Sequence, residues 1–199
     1  MNSNRSQIFL YASISGSTPP TTGLDKFSAG HPVERRLNRI ERVVAAYRGK
    51  IEDRQENAIQ VSFASADAAL LGGCEMLHRC AVLPQLSGQP LALRIGIHQS
   101  ILHQRARDGA DNSREVTAQL AALDDTILIS ENLASSLHAE LRKLTRPTSL
   151  ATIDLPVLQV DWRRKIPAAA YGGESLWLSD QFPQRKGSGR IFLLRYGLK

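Results

Sequence analysis

Cysteine is nearly absent from this chain: the 199 residues hold two, Cys74 and Cys80. That excludes the disulfide scaffold on which small secreted domains depend. The two lie six apart in a stretch that reads as helix, about 9 Å along the axis and on different faces, too far for a bridge. No second cysteine pair exists for a metal site, so both read as small buried hydrophobes. Long apolar runs are missing as well. None approaches the roughly 20 residues that span a bilayer, and Ile8 to Ala12 is too short for the apolar core of a signal peptide. The expectation is a cytoplasmic protein.

Clustered charge is also lacking in most of the chain. Residues 161–199 hold eight Lys or Arg against three Asp or Glu, whereas residues 1–160 hold 17 against 16. The net charge of +6 therefore belongs to the tail, and the near-neutral body lacks the basic face that nucleic-acid binding needs. What remains is ordinary for a globular protein, at 42% hydrophobic and 22% charged residues.

The apolar pattern divides the chain into elements. Gln7 to Ile14 reads as a strand, followed by Ser15-Gly16-Ser17-Thr18 and an irregular Pro19-Pro20 connection. A helix is expected from near Pro32, because Val33, Leu37, Ile40, Val43, Val44 and Tyr47 keep helical spacing up to Gly49. Lys50 to Arg54 and Ala58 to Phe63 read as a strand pair, and Ser65 caps a second helix reaching about Leu83. Leu91 to His98 alternates as a strand. The polar stretch Gln99 to Asp111 leads into a short helix ending near Leu123. Ile127 to Ile129 is a short strand, Ser130 caps a brief helix, and Ser149 to Asp154 and Val157 to Trp162 are two extended pieces.

The order βαββαβ predicts a ferredoxin-like α+β fold, with a mainly antiparallel sheet and helices on one face. Residues 1–162 form the expected domain. Residues 163–189 read as linker, and residues 190–199 as a strand-like segment that starts a further domain or packs on the sheet.

Several of these segments carry a specific resemblance. Ala12-Ser13-Ile14-Ser15-Gly16-Ser17-Thr18 resembles the A-D-V-S-G-S-T strand and turn of class III nucleotide cyclase domains. Phe63-Ala64-Ser65-Ala66-Asp67-Ala68-Ala69 is similar to the end of that family's third strand, and Leu93-Arg94-Ile95-Gly96-Ile97-His98 to its R-I-G-I-H strand. Thr117-Ala118-Gln119-Leu120 falls where the family has A-A-R-L, and Ile127-Leu128-Ile129-Ser130 where it has I-L-I-S. The five segments keep the family's order over residues 7–162.

The family's chemistry, as the resemblance implies it, uses two metal ions on two aspartates, a Lys–Asp pair that selects the purine, and an Asn and an Arg at ribose and transition state. All six positions differ here. The metal aspartates align with Ser13 and Asn57, the purine pair with Asp53 and Asn112, and the Asn and Arg with Glu115 and Gln119. A hydroxyl and a neutral amide bring no charge to hold Mg²⁺. Asp53 and Glu115 put negative charge where a triphosphate would lie, and one like-charge pair at ~4 Å costs about 4 kcal/mol at a dielectric of ~20. The lost Arg removes a stabiliser of developing charge. The family's L-K-G hairpin is absent too.

The resemblance therefore implies an inactive homologue with no catalytic residues, no metal and no cofactor, acting as a regulatory module. Its implied partners are a second copy, or another cyclase-like or signalling protein. The alternatives are a nucleotide sensor, with Ser15, Gly16, Ser17 and Thr18 as a phosphate loop, a weak residual cyclase, and a basic tail that docks to nucleic acid or membrane.

Other motifs take plainer readings. Gly72-Gly73-Cys74-Glu75-Met76 is similar to the GGDEF signature only by coincidence, His98 and His103 read as surface hydrogen-bonding groups, and Asp124-Asp125 as a turn. Trp162-Arg163-Arg164-Lys165 reads as solvated linker.

Overall fold

Period-two alternation along one central strand sorts the fold into two faces. The computed structural model describes residues 5–16, 26–83, 91–102, 108–151 and 153–164. The elements run β1 (Arg5–Ser15), α1 (Lys26–Ala46), β2 (Lys50–Arg54), β3 (Ala58–Phe63), α2 (Ala66–Ala81), β4 (Ala92–Leu102), α3 (Asp108–Leu120), β5 (Thr126–Ser130), α4 (Glu131–Ser136), α5 (Ala139–Arg142), β6 (Thr145–Thr148) and β7 (Val157–Val160). The seven strands form one sheet in the order β2-β3-β1-β4-β5-β7-β6, antiparallel throughout except for the parallel β4–β5 pair. This is the α+β, ferredoxin-like arrangement expected from the sequence.

Even-numbered residues of β1, namely Ile8, Leu10, Ala12 and Ile14, join Ile59, Val61, Leu93, Ile95, Ile97, Ile127 and Ile129 in the main core. The apolar sides of α1, α2 and α4 cover that face. Each large aliphatic side chain fully buried there contributes about 1.5–3 kcal/mol. The helix ends follow local chemistry. The Ser65 hydroxyl accepts from the Ala68 amide at the start of α2, and the Ser130 hydroxyl accepts from Leu133 at the start of α4.

Five features depart from the sequence reading. The helix α1 begins before Pro32 and encloses it, so its backbone ladder forgoes one bond there. β4 continues through Gln99 to Leu102, because Arg5 to Ile8 of β1 supply pairing partners regardless of side-chain polarity. Ser149 to Asp154 is not a strand; Thr145–Thr148 is, and Pro147 is tolerated because β6 lies at the sheet edge. Trp162 belongs to the core, donating its indole N–H to the Asp125 carbonyl at 3.0 Å, and Arg163 stacks on it at 4.2 Å. The rest of the expected linker from residue 165, and residues 190–199, lie outside the described residues.

The fifth departure concerns the opposite face of the sheet, which is not bare. α3 packs there, with Leu120 against Leu128 and Val157. Gly96 makes this approach possible: a Cβ at that position would stand 2.2 Å from the Thr117 carbonyl oxygen and 2.7 Å from the Leu120 Cβ. Phe9, fully buried, lies on the same side beneath the Arg114 guanidinium at 5.9 Å.

Two outcomes are expected. Gly96→Ala should lower unfolding free energy by about 1–3 kcal/mol through overpacking, measured in denaturant; a variant as stable as the parent would contradict this seating of α3. His98, paired in register with Phe9, has a buried Nδ1 with no partner among the described residues. Burial holds its pKa below the ordinary histidine value. The unfolded chain therefore takes up the proton first, and the contribution is present above about pH 6.5 and lost as pH falls. The thermal midpoint should drop between about pH 7.5 and about pH 5.5, and less so in His98→Gln. An equal drop in both proteins would remove His98 from the account.

Candidate functional site

The second face of the sheet carries the positions singled out in the sequence, because odd-numbered β1 residues point there. Ser13 is half-buried, with Ala58 of β3 and Arg94 of β4 as its register partners. Asn57 lies in the β2–β3 turn. Its carbonyl accepts from the Ile14 amide at 2.8 Å, and its side-chain Nδ2 donates to the Ile14 carbonyl at 3.4 Å. The fold thus brings Ser13 and Asn57 to the same end of β1, as two metal-binding positions would require.

Their chemistry does not fit a divalent cation. The donors are a hydroxyl and an amide carbonyl, neither of which carries charge, and the cationic Arg94 stands opposite Ser13. Among the described residues there is no group of three or more His, Cys, Asp or Glu able to hold a metal.

The loop after β1 carries an unexpected anion at its base. Ser15 donates its hydroxyl to Asp124 Oδ1 at 2.7 Å, and Arg94 Nε donates to the same oxygen. Arg94 first and Ser15 second hold the Asp124 carboxyl below its ordinary range. The first hydroxyl of the expected phosphate loop is therefore engaged with a carboxylate, which opposes a phosphate there. Gly16 is exposed at φ 84°, a backbone conformation that favours glycine. Ser17 and Thr18 lie outside the described residues, as does His103.

Asp53 is exposed on the edge strand β2, opposite Gln60, and accepts from Gln55 Nε2 at 3.0 Å. The Tyr11 hydroxyl donates to Gln55 Oε1 at 3.5 Å. Burial, then the charge of Asp53, push the Tyr11 pKa above its ordinary value. Gln60, 8% exposed, keeps an Nε2 without a partner among the described residues. Beside it Glu52 accepts from the Ser62 hydroxyl at 2.7 Å, and that bond, followed by Lys50 and Arg114, outweighs desolvation and lowers its pKa.

Asn112, Glu115 and Gln119 form a separate group. They stand at i, i+3 and i+7 on the exposed side of α3, with Gln119 Nε2 donating to Glu115 at 3.4 Å. No described hydrogen bond or ion pair links them to Ser13, Asp53 or Asn57. Within one chain the six positions therefore fall into two sets, one on the strands and one on α3.

The sequence reading missed Arg94, Asp124, Tyr11 and Gln60. Alternation along β1, β3 and β4 placed Tyr11, Gln60 and Arg94 on the polar face, but nothing local joined Arg94 to a carboxylate 30 residues away. Asp124-Asp125 does form the expected turn. Asp125, at φ 49°, also accepts from the Leu93 amide at 3.1 Å. Gly72 to Met76 lies inside α2, where buried Glu75 pairs with Arg79.

No protein-family model matches the sequence, and no curated protein matches it. Solved structures do match the fold. The guanylate cyclase domain of RhGC from Catenaria anguillulae, solved with GTP, superposes with a TM-score of 0.61 at 12% identity, over 79% of this chain and 96% of that one. The adenylyl cyclase CyaB from P. aeruginosa gives 0.59 at 16% identity, over 81% and 96%. A dimeric guanylyl cyclase domain of the RhoGC fusion protein from Blastocladiella emersonii gives 0.61 at 12% identity, over 78% and 96%. The likeness is one of fold: this chain has the architecture of the class III adenylyl and guanylyl cyclase catalytic domains.

Proposed function

We propose that residues 1–162 form a catalytically inactive cyclase-homology domain that serves as a regulatory and interaction module in intracellular signalling. One observation carries this reading. The two positions that the cyclase fold would use for metal are Ser13 and Asn57, an uncharged hydroxyl and an uncharged amide at the same end of β1, with Arg94 opposite Ser13. Exposed Asp53 and Glu115 add negative charge where a nucleotide triphosphate would need cations. The Ser15–Asp124 bond adds a third anion at the phosphate loop.

A homodimer follows from the same reading. No described hydrogen bond or ion pair joins the two sets of positions, strand and α3, within one chain, and the guanylyl cyclase domain of RhoGC is found as a non-canonical dimer as well as a monomer. A heterodimer with another cyclase-like chain satisfies the same geometry.

A second reading, a nucleotide sensor, is favoured by Gln60 alone. Its Nε2, buried beside Tyr11 and without a partner among the described residues, would meet the edge of a base once the side chains over it part.

Calorimetric titration with ATP and with GTP, each with Mn²⁺, separates the two. No saturable heat at millimolar nucleotide is expected, and no cyclic nucleotide in the recovered mixture. Binding without product would favour the sensor, and product would overturn the proposal outright. Sedimentation velocity over a concentration series should show reversible association that survives Asp53→Asn and Glu115→Gln. A protein that stays monomeric throughout would leave no homodimer in the account.

A further inference from the structure

We infer that the hollow shared by Arg36 and Asp125 is a binding site for a small zwitterion of the α-amino-acid class, its carboxylate on Arg36 and its ammonium on Asp125. The hollow lies on the core side of the sheet, since Cys80 and Leu93, which line it, both belong to the main core. It is therefore on the face opposite the candidate cleft, and does not depend on how that cleft is read.

The case begins with a buried charge. Taking a guanidinium out of water is costly unless a counter-charge or a full set of acceptors meets it. Arg36 on α1 is 3% exposed. Its one described hydrogen bond runs from Nη1 to the Pro32 carbonyl at 3.3 Å, one turn back in the same helix. Most of its N–H donors are left over, and no described ion pair engages it. Glu75, the other buried charged side chain among the described residues, does have a partner in Arg79.

Arg36 lines a hollow of about 130 Å³, and Asp125 lines the same hollow. Asp125 Oδ1 accepts from the Leu93 amide at 3.1 Å, while its other carboxylate oxygen has no partner among the described residues. The two opposite charges thus border one space without forming an ion pair with each other. Cys80, Leu83, Leu91 and Leu93 supply its apolar wall. Burial pushes the Cys80 thiol up to about 11, so it stands there as a neutral group rather than a reactive thiolate. The site is drawn from described residues alone; residues 84–90, between Leu83 and Leu91, are not part of it.

A space bounded by a free cation and a free anion calls for a ligand that is itself dipolar. A carboxylate meets a guanidinium in a planar, two-pronged geometry, and an ammonium donates to the open oxygen of Asp125 in a charge-assisted bond. The volume equals that of about four waters in the liquid, which limits the ligand to roughly five to seven non-hydrogen atoms. Glycine and alanine fall within that limit. Phosphate would bring its charge against Asp125, and a nucleotide needs a cavity at least about twice as large. A metal ion would meet the charge of Arg36. A simple carboxylate would leave Asp125 unanswered, and a neutral amide would bridge the two groups only through hydrogen bonds about half as strong.

The test titrates the ¹⁵N-labelled full chain with glycine and with L-alanine, followed by NMR at the Leu93 amide, which reports on Asp125, and at Arg36 Nε. Both signals should move saturably, with half-saturation at about 1–10 mM. Arg36→Gln and Asp125→Asn should each raise that concentration about tenfold or more, the loss of one charged partner. Arg36→Lys, which keeps the charge without the fork, should fall between, and it replaces Arg36→Gln if circular dichroism shows that variant unfolded. Acetate, methylammonium and acetamide should each bind about tenfold more weakly than glycine. No saturable shift with either amino acid up to about 100 mM, or undiminished binding in Asp125→Asn or in the folded Arg36 variants, overturns the inference. Acetamide or inorganic phosphate binding as tightly as glycine overturns it as well.

Discussion

The register between β1 and β4 is the constraint on which everything else depends. It runs without a break from Arg5↔Leu102 to Ser15↔Ala92, and β3 pairs on the other edge of β1 from Ile8 to Ser13. Because side chains alternate, a slip of one residue would turn Ile8, Leu10, Ala12 and Ile14 out of the core and drive Tyr11, Ser13 and Ser15 into it. The apolar face fixes the register, and the register delivers Ser13, Ser15 and Arg94 to the polar face. Core and cleft are two readings of the same alternation.

The polar face is then shaped by contacts that hold its strand ends and turns together. Asp124 is shared by Arg94 and Ser15, and Asn57 is tied to Ile14. Each of these bonds stabilises a strand end or a turn, and the one from Ser15 occupies the first hydroxyl of the loop after β1. Asp124 also lies mostly exposed, so its pairing with Arg94 is screened and contributes modestly to stability. On the same face Gly96 allows α3 to approach the sheet, with Arg114 over Phe9.

Much of this was legible in the sequence where the signal was local. Ser65 and Ser130 announced their helices because a hydroxyl before an apolar run satisfies free amides. Lys50 to Arg54 and Ala58 to Phe63 emerged with correct ends because a short turn and alternation bound them. What failed was non-local. Pro147 hid β6 because a proline argues against a strand until its edge position is known. Trp162 read as the end of the last extended piece beside a basic cluster, and its bond to Asp125 stayed hidden because it spans 37 residues. At the site, the family resemblance singled out Ser13 and Asn57, which the strand register sets at one end of β1, yet alternation alone could not reveal that Asp124 would close over Ser15. Gly96 was visible as part of a motif, but its purpose was not, since only the approach of α3 explains why a side chain is excluded there.

The central claim is that the right positions carry the wrong side chains for metal chemistry. Titrating Mn²⁺ and following the free ion by electron paramagnetic resonance tests this most directly, in wild type and in a protein with Ser13→Asp and Asn57→Asp combined. The account requires wild type to leave the Mn²⁺ signal at its buffer value and the double variant to deplete it in proportion to protein added. Stoichiometric depletion by wild type would contradict it.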